Sequence, residues 1–512
     1  MAVFIALIAI FIVLLYIYGR WNFGALKAIG VDGPEPVVFM GNLIEMGKRN
    51  IHFCFCHWQK IYGDTFGVYF GCYPQVVFHD PEALEEIYVK NFSNFTNRPD
   101  MFFINEYFES MVMMARDEHW KFLRVTLSPC YTGKQLKGMT MLMKKPTENL
   151  LKIFSKFSES GQECNVQDAF SKYTLDNIAA VGFGVEINSS EQGGHPLVKN
   201  ALSVVNKQNE LLITLISTVA PGLVSFLAKL KVLDYFNKRG HLLAEFSKQL
   251  LETRRQNLNP NVRFFFISFA SLICFVSINN NFLFFCLSRI CVNKTKHVCY
   301  FSGITDTEII AQCIIFFLAG YETTASTLTF FARCMAFNQD IQEKVYKEIM
   351  EVVGDEFPTY ESIQQLKYLE MCMAESLRLY PLISILQREC KKDCVIKGVK
   401  IPANMSVILP IRSLHYDERY WTDPTKFDPE RFSEEGKARQ TPFTYTPFGS
   451  GPRICIGMRL AKLQFKVAVV EMFKKYRVVT TEKTEDPIEY ASTDVLSTKN
   501  GVWLKLEPRK SL

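Results

Sequence analysis

Ten residues, Phe448 to Gly457 (FGSGPRICIG), restrict what this chain can fold around more than any other stretch of it. A lone cysteine is most often an inert buried hydrophobe. Cys455 is placed otherwise: Gly451 and Gly457 bracket it and let backbone approach a large flat object, Arg453 stands two residues before it, and the apolar period of a helix begins just after it. A helix amino terminus and a neighbouring guanidinium both favour the thiolate. A single thiolate with no His or Cys partner nearby in the sequence does not make a zinc or iron–sulfur site, which need several ligands. It does suit the axial position of a haem, with Arg453 placed to pair with a propionate.

The other end of the chain sets the compartment. Ala2 to Tyr18 carries no charge and is followed by Gly19, Arg20 and Trp21, a run close to the roughly 20 residues that cross a bilayer. A cleaved signal peptide needs a basic start, a shorter apolar core and a small-residue cleavage site, and this run has none of them. Arg20 and Lys27 follow the run, so the positive-inside rule puts the remainder in the cytoplasm. The 15 cysteines fit that side: they are odd in number, show no repeated pairing, and occur in a chain of 512 residues that has no need of staples. Sequons such as Asn91-Phe92-Ser93 are then expected to be unused. With 58 basic against 52 acidic residues the net charge is +6, short of the excess a dedicated nucleic-acid binder carries. A hydrophobic share of 48% demands a large packed interior.

Between anchor and body, Gly33, Pro34 and Pro36 forbid a continuous helix and mark a hinge. Thr65 to His79 is rich in β-branched and aromatic residues around Tyr73-Pro74 and predicts a hairpin. From about Asp80 the helical period takes over, as in Pro81 to Val89 and in Gly457 to Phe473, where Leu460, Leu463, Val467 and Val470 share a face. Further β-rich patches lie at Cys394 to Pro410 and Gly501 to Leu506. The fold class is therefore mostly α with small β-sheets: an anchor helix over 1–20, a Pro/Gly hinge over 21–43 and a single large domain over 44–512. Leu211 to Phe236, broken at Pro221-Gly222, reads equally as a segment lying on a bilayer or as two short core helices. Arg263 to Ser302 is atypical: it has no Asp or Glu, clustered Phe, an Asn279-Asn280-Asn281 run and four of the cysteines.

The loop FGSGPRICIG resembles the haem-binding loop of the cytochrome P450 family, Phe-x-x-Gly-x-Arg-x-Cys-x-Gly, with Phe448, Gly451, Arg453, Cys455 and Gly457 in its places. Other stretches occur in that family's order across nearly the whole chain. Glu375-Ser376-Leu377-Arg378 resembles its helical Glu-x-x-Arg pair, and Pro429-Glu430-Arg431-Phe432 the segment that adds an arginine to it. Positions three apart share a helical face, so Glu375 and Arg378 can bond and leave a fork for Arg431. AGYETTAST, Ala319 to Thr327, sits in a long apolar helix that begins with a Thr305–Glu308 capping box. By resemblance, Ala319 and Gly320 leave room for oxygen over a haem b, Thr323 orders the water that protonates it, and Glu322, a carboxylate in an apolar helix, supplies protons. Trp120 and Arg124 in WKFLR are similar to the family's propionate contacts.

The chain also departs from the pattern. Ile385 stands where relatives often have Arg or His, so that either Arg388 substitutes or one propionate contact is missing. Asp32 replaces the first of several hinge prolines, which should soften the hinge. The block 263–302 is unlike the polar loop expected before the oxygen-side helix. A membrane crossing there would part Arg124 from Cys455, which leaves a greasy insertion or, favoured by composition, a retained intron read in frame.

What the resemblance implies is a microsomal animal monooxygenase of the drug- and steroid-handling branch. It would be a single-pass endoplasmic reticulum protein that inserts one atom of dioxygen into a lipophilic small molecule. Electrons would come from an NADPH-cytochrome P450 reductase, with cytochrome b5 as a further donor, and Arg459, Lys462 and Lys466 would offer positive charge to an acidic reductase. Two rivals stand beside this reading: a haem protein that binds or senses ligands without turnover, and a multi-span transporter.

Overall fold

The computed structural model describes residues 2–99, 106–190, 243–249, 251–252, 303–491 and 495–509. Both Leu211 to Phe236 and Arg263 to Ser302 lie outside the described residues.

Helix α1 (Ala2–Tyr18) is apolar on every side, and its residues from Val3 onward are exposed. A helix with no polar face and no protein packed on it has only lipid as a compatible surrounding. The segment after it is docked: the Gly67 N–H donates to the Asp32 carbonyl at 2.7 Å, and a Cβ on Gly33 would lie 1.9 Å from the Gly67 carbonyl oxygen. Only glycine permits that approach.

The body begins with α2 (Ile51–Tyr62), then β1 (Thr65–Phe70) and β2 (Tyr73–Phe78), the expected antiparallel hairpin. Its turn is at Gly71-Cys72 and not at Tyr73-Pro74. Gly71 takes φ +61°, which a glycine adopts without strain, whereas Pro74 lies in β2 just before the next strand joins at Gln75, so its missing N–H costs no ladder bond. Four helices frame the centre next: α3 (Asp117–Leu127), α4 (Lys144–Ser160), α5 (Val166–Ile178, preceded by the short β3, Cys164–Asn165) and α6 (Asp306–Phe337). They are followed by α7 (Lys367–Leu379), β4 (Leu386–Glu389), β5 (Cys394–Ile396), β6 (Val399–Ile401) and β7 (Ser406–Leu409). Last come α8 (Met458–Lys475), β8 (Tyr476–Thr480) and β9 (Trp503–Pro508). The sheets are small: β1-β2-β7-β4, with β2 and β7 parallel, β3-β9-β8, and the hairpin β5-β6.

Helix α6 organises the interior. It starts at the predicted capping box, where the Glu308 N–H donates to Thr305 Oγ1 and the Thr305 N–H to Glu308 Oε2. Its first half packs on Trp120, Leu123 and Leu127 of α3 and on Leu175 and Ile178 of α5. Its second half packs on α4, α7 and α8, with Phe331 edge-on to Phe465 at 4.9 Å. Among the described residues α6 is the helix long and apolar enough to span a bilayer, yet it is mostly buried in protein, as a core helix is.

Helix α7 carries a buried ion pair. Arg378 Nε and Nη2 donate to the two Glu375 oxygens at 2.7 Å each, both side chains are fully buried, and the Arg378 Nη1 donates to the carbonyls of His415 and Pro424. Arg431 completes the expected fork at 3.4 Å from Glu375 Oε1. His415 links this pair to the cysteine loop. Its Nδ1 donates to the Arg378 carbonyl at 3.1 Å, and its Nε2 accepts from the Thr446 N–H at 3.2 Å, so the ring is neutral with its proton on Nδ1. Burial, and then the charge of Arg378, hold its pKa down to about 3. An unfolded histidine takes its proton near pH 6.5, so from there down to pH 3 the unfolded chain gains a proton that the folded chain refuses. Stability is full above pH 6.5 and falls below it by about 1.4 kcal/mol per pH unit from this group. In denaturant titrations, the loss of unfolding free energy between pH 7 and pH 5 should be about 2 kcal/mol smaller in His415→Gln than in the parent. An unchanged loss would refute the assignment.

Candidate active site

The cysteine loop approaches α8 through a single turn of 3-10 helix at Gly451–Arg453, and the Cys455 N–H is held by the Phe448 carbonyl at 3.0 Å. Gly451 has φ +68°, and a Cβ there would sit 2.1 Å from the Tyr88 carbonyl oxygen, so its glycine is accounted for by protein backbone. The Cβ direction of Gly457 opens into space.

Cys455 is solvent-accessible, although burial is what pushes its thiol up from the ordinary value. A side chain that is both accessible and sunk in protein lines a cavity. Against burial work the N–H groups of Gly457 and Met458 at the start of α8 and the charges of Arg124 and Arg98. Ala319 gives the same sign from the other side. It is exposed in the middle of a core helix whose Phe317 and Tyr321 are buried.

Around the rim stand arginines without anions. Arg453 is buried, lies 4.6 Å over the Trp120 ring and donates from Nη2 to the Ala115 carbonyl, while its Nε and Nη1 have no partner. Burial, then Arg98 and Arg388, bring it down to about 8. Arg98 is brought to about 10 by burial and by Arg388, and its Nε is also unpartnered. Arg388, on β4, is buried over the Tyr88 ring; it donates from Nη1 to the Gln387 carbonyl and leaves Nε unpartnered. Arg124 on α3 is half-buried and is likewise lowered, by burial. Arg116 is satisfied by Glu389 at 2.5 Å, but among the described residues no carboxylate pairs with Arg98, Arg124, Arg388 or Arg453. Buried like charges with orphaned N–H groups require an anion. The two propionates of a haem b are the right charge and the right kind of acceptor, so the residues present fit that group.

The question left by Ile385 is answered by packing. Ile385 joins the apolar cluster of Trp58, Phe66 and Val77, and Arg388 stands in the cradle. Arg98 is the residue that sequence reasoning missed. In NFTNRPD it reads as a solvated turn, and only the fold brings it to Arg388 and Arg453.

On α6, Thr323 Oγ1 donates to the Ala319 carbonyl at 2.6 Å. Ile178 of α5 presses on Gly320, where a Cβ would lie 2.9 Å from its Cδ1. Glu322 is half-buried, not deeply buried as its apolar neighbours suggest, because it shares the open face of Ala319 three residues earlier. Lys462 and Lys466 do not form a free basic face. Lys466 is buried, its Nζ 3.0 Å from Glu370 and within reach of the Ile363 and Leu366 carbonyls, and Lys462 pairs with Glu370 at 2.6 Å. Arg459 remains exposed.

The family model for cytochrome P450 matches residues 31–506. The chain is similar to cytochrome P450 3A16 of Mus musculus, 34% identical over 511 residues that cover 99% of this chain and 97% of that one. It is similar also to cytochrome P450 3A7 of Homo sapiens, 33% over 508 residues and 98% and 96% of the two chains. Cytochrome P450 3A40 of Oryzias latipes is 34% identical over 512 residues, 99% and 97% of the two chains.

The cradle predicts opposite effects with and without cofactor. Replacing Arg388 by Leu should speed haem loss to an acceptor protein on the order of 10-fold, since a hydrogen bond to a charged group is worth about 1.5–3 kcal/mol. The same change should raise the thermal midpoint of the haem-free chain, by relieving repulsion at Arg98 and Arg453. A lower haem-free midpoint together with unchanged haem loss would contradict the cradle.

Proposed function

The chain belongs to the cytochrome P450 family, monooxygenases that carry haem b on a cysteine thiolate, and from that premise we propose that Cys455 is the axial ligand and that a lipophilic small molecule receives the oxygen atom. The observation that carries this reading is the pairing of an accessible Cys455 at a helix amino terminus with arginines that no carboxylate among the described residues neutralises. Bound haem b supplies the activation of dioxygen, and sulfur donation to its iron favours O–O cleavage.

The chain's own residues have separable tasks. The Gly457 and Met458 N–H groups work against the burial that raises the thiol and so favour the anionic form of the sulfur. Arg98, Arg388 and Arg453, with Arg124 and Trp120 on α3, would bind the propionates. Thr323 donates its hydroxyl proton to Ala319, which leaves its oxygen lone pairs to accept from a water on the open side of the helix. Glu322 stands on the same face, half in solvent, and passes protons inward to that water. Phe448, Gly457, Ala319 and Gly320 would line the seat of the ring.

Electrons come from an NADPH-cytochrome P450 reductase, with cytochrome b5 as a further donor. Of the three cations first assigned to docking, Arg459 alone is exposed. Helix α1 anchors the protein in the endoplasmic reticulum membrane with the 44–512 domain cytoplasmic and 21–43 as the connection. The 263–302 block is not part of the working enzyme. A peptide map of native protein should lack peptides from 264 to 296, and their clear recovery would overturn this.

Two substitutions separate the roles. Cys455→Ser should abolish both the thiolate-type reduced carbon-monoxide spectrum and product formation. Thr323→Ala should keep that spectrum and NADPH consumption but lower product per NADPH by about 100-fold, the lower end of the range for loss of a group that positions a proton for transfer. An unaltered Soret band and product yield in Cys455→Ser would sink the proposal, and unchanged coupling in Thr323→Ala would remove Thr323 from it.

A further inference from the structure

The turn between β4 and β5 reads Cys390-Lys391-Lys392-Asp393-Cys394, and the two sulfurs lie 3.6 Å apart, the one sulfur–sulfur contact found among the described residues. The backbone around them is clamped on three sides. The Cys390 N–H donates to the Met405 carbonyl and its carbonyl accepts from Asn404, Cys394 pairs with Ile401 across the β5-β6 hairpin, and Ala403 N–H donates to Asp393 Oδ1. Asn94 closes the fourth side. Its carbonyl accepts from the Lys391 N–H, its Oδ1 from the Lys392 N–H, and its Nδ2 donates to the Lys392 carbonyl and to the Cys390 sulfur. With the ends of the turn fixed, the sulfurs face each other and need to close by only about 1.5 Å to reach the ~2.05 Å of a covalent bond.

We propose that Cys390 and Cys394 are a peroxide-oxidised dithiol, a modification site in which Cys394 is attacked first and Cys390 resolves it to a disulfide. The accessibilities differ in the needed way, since Cys390 is fully buried and Cys394 is partly exposed. The Cys390 thiol is pushed up to about 12 by burial and then by its contact with Cys394. Burial also raises Cys394, but the donors Cys390 and Asn94 work against it, so Cys394 is the sulfur with more thiolate character. In the first step Cys394 sulfur takes one oxygen of hydrogen peroxide, the O–O bond breaks, and water leaves with a sulfenic acid behind. In the second, Cys390 sulfur displaces that hydroxyl, the S–S bond forms, and its thiol proton departs with the hydroxyl as a second water. Two thiols lose two electrons and the peroxide gains them. A small dithiol reverses the change. The peroxide has a chemical source nearby, because dioxygen that gains two electrons and two protons without transferring an atom leaves as hydrogen peroxide. The turn follows Arg388 by two residues and is tied through Asn94 to the segment holding Arg98, so the modified site borders the arginine cradle, although its chemistry does not depend on the haem reading.

The test uses the full-length holoprotein and stoichiometric hydrogen peroxide, quenched in acid and alkylated after denaturation. Trypsin cuts at Lys391 and Lys392, so the disulfide should appear as two linked peptides, 389–391 with 393–397, that separate on treatment with dithiothreitol. Cys390 should lose its alkylation at least about 10-fold more slowly in Cys394→Ser, a change at the less buried position that the turn tolerates. Oxidation of Cys394 to a sulfinic acid while Cys390 stays a thiol would overturn the proposal. So would loss of Cys390 at the same rate in Cys394→Ser.

Discussion

The constraint around which the rest of the structure is arranged is a set of buried and half-buried guanidinium groups that no carboxylate among the described residues neutralises. Arg98, Arg388 and Arg453 come from three distant parts of the chain and depress one another's affinity for protons. For Arg453, the fall to about 8 corresponds to several kcal/mol of desolvation and repulsion, as an order of magnitude. Cations brought together at that cost call for an anionic partner, and the two propionates of a haem b would supply that charge from a single bound object. The cofactor is thereby part of the fold's electrostatics as well as of its chemistry. The same charges act on Cys455, where Arg124 and Arg98 oppose the burial that raises its thiol.

How much of this was legible in the sequence depended on whether the signal was local. The cysteine loop, the capping box at Thr305, the Glu375–Arg378 pair and α8 are short-range patterns, and each stands where its spacing put it. Residues whose role is set by tertiary contact were read poorly. Arg98 carries no local signature. Gly451 looked like a concession to a flat ligand and is pressed instead against Tyr88. Lys466 looked like surface charge because it recurs on a helix with other cations, but the carbonyl end of the short helix Tyr360–Gln365 and the carboxylate of Glu370 lie beneath it. The hairpin shows the same division. Its strands follow from composition, while the place of its turn follows from which residue takes a positive φ, and proline, the more conspicuous turn signal, lost to glycine at 71.

Exposure carried as much information as burial. Cys455, Ala319 and Glu322 depart from what their neighbours suggest by being accessible, and the departures lie on facing elements. A closed apolar core would have covered all three. Their joint accessibility marks the interior space more directly than the surface clefts of the molecule, one near Asp168, Lys172 and Tyr321 and another beside the anchor at Arg20 and Lys27, neither of which contains a cradle residue.

The Glu375–Arg378 pair is better understood as a positioning device than as a source of stability. A buried ion pair returns little net energy, because the desolvation of both groups offsets their attraction, although removing one partner alone is severe. What the pair does here is occupy directions. Arg378 has its three remaining N–H groups committed to the carbonyls of His415, Pro424 and Lys426, and Glu375 accepts from the Asp428 N–H. An irregular stretch of chain with no ladder of its own is thus pinned at four backbone groups. His415, fixed by that stretch and by the Arg378 carbonyl, accepts the Thr446 N–H nine residues before Cys455. A hydrophobic replacement of the pair could match its energy, but it has no donors with which to hold those carbonyls. The loop that presents Cys455 would then lose the frame that fixes it relative to α6.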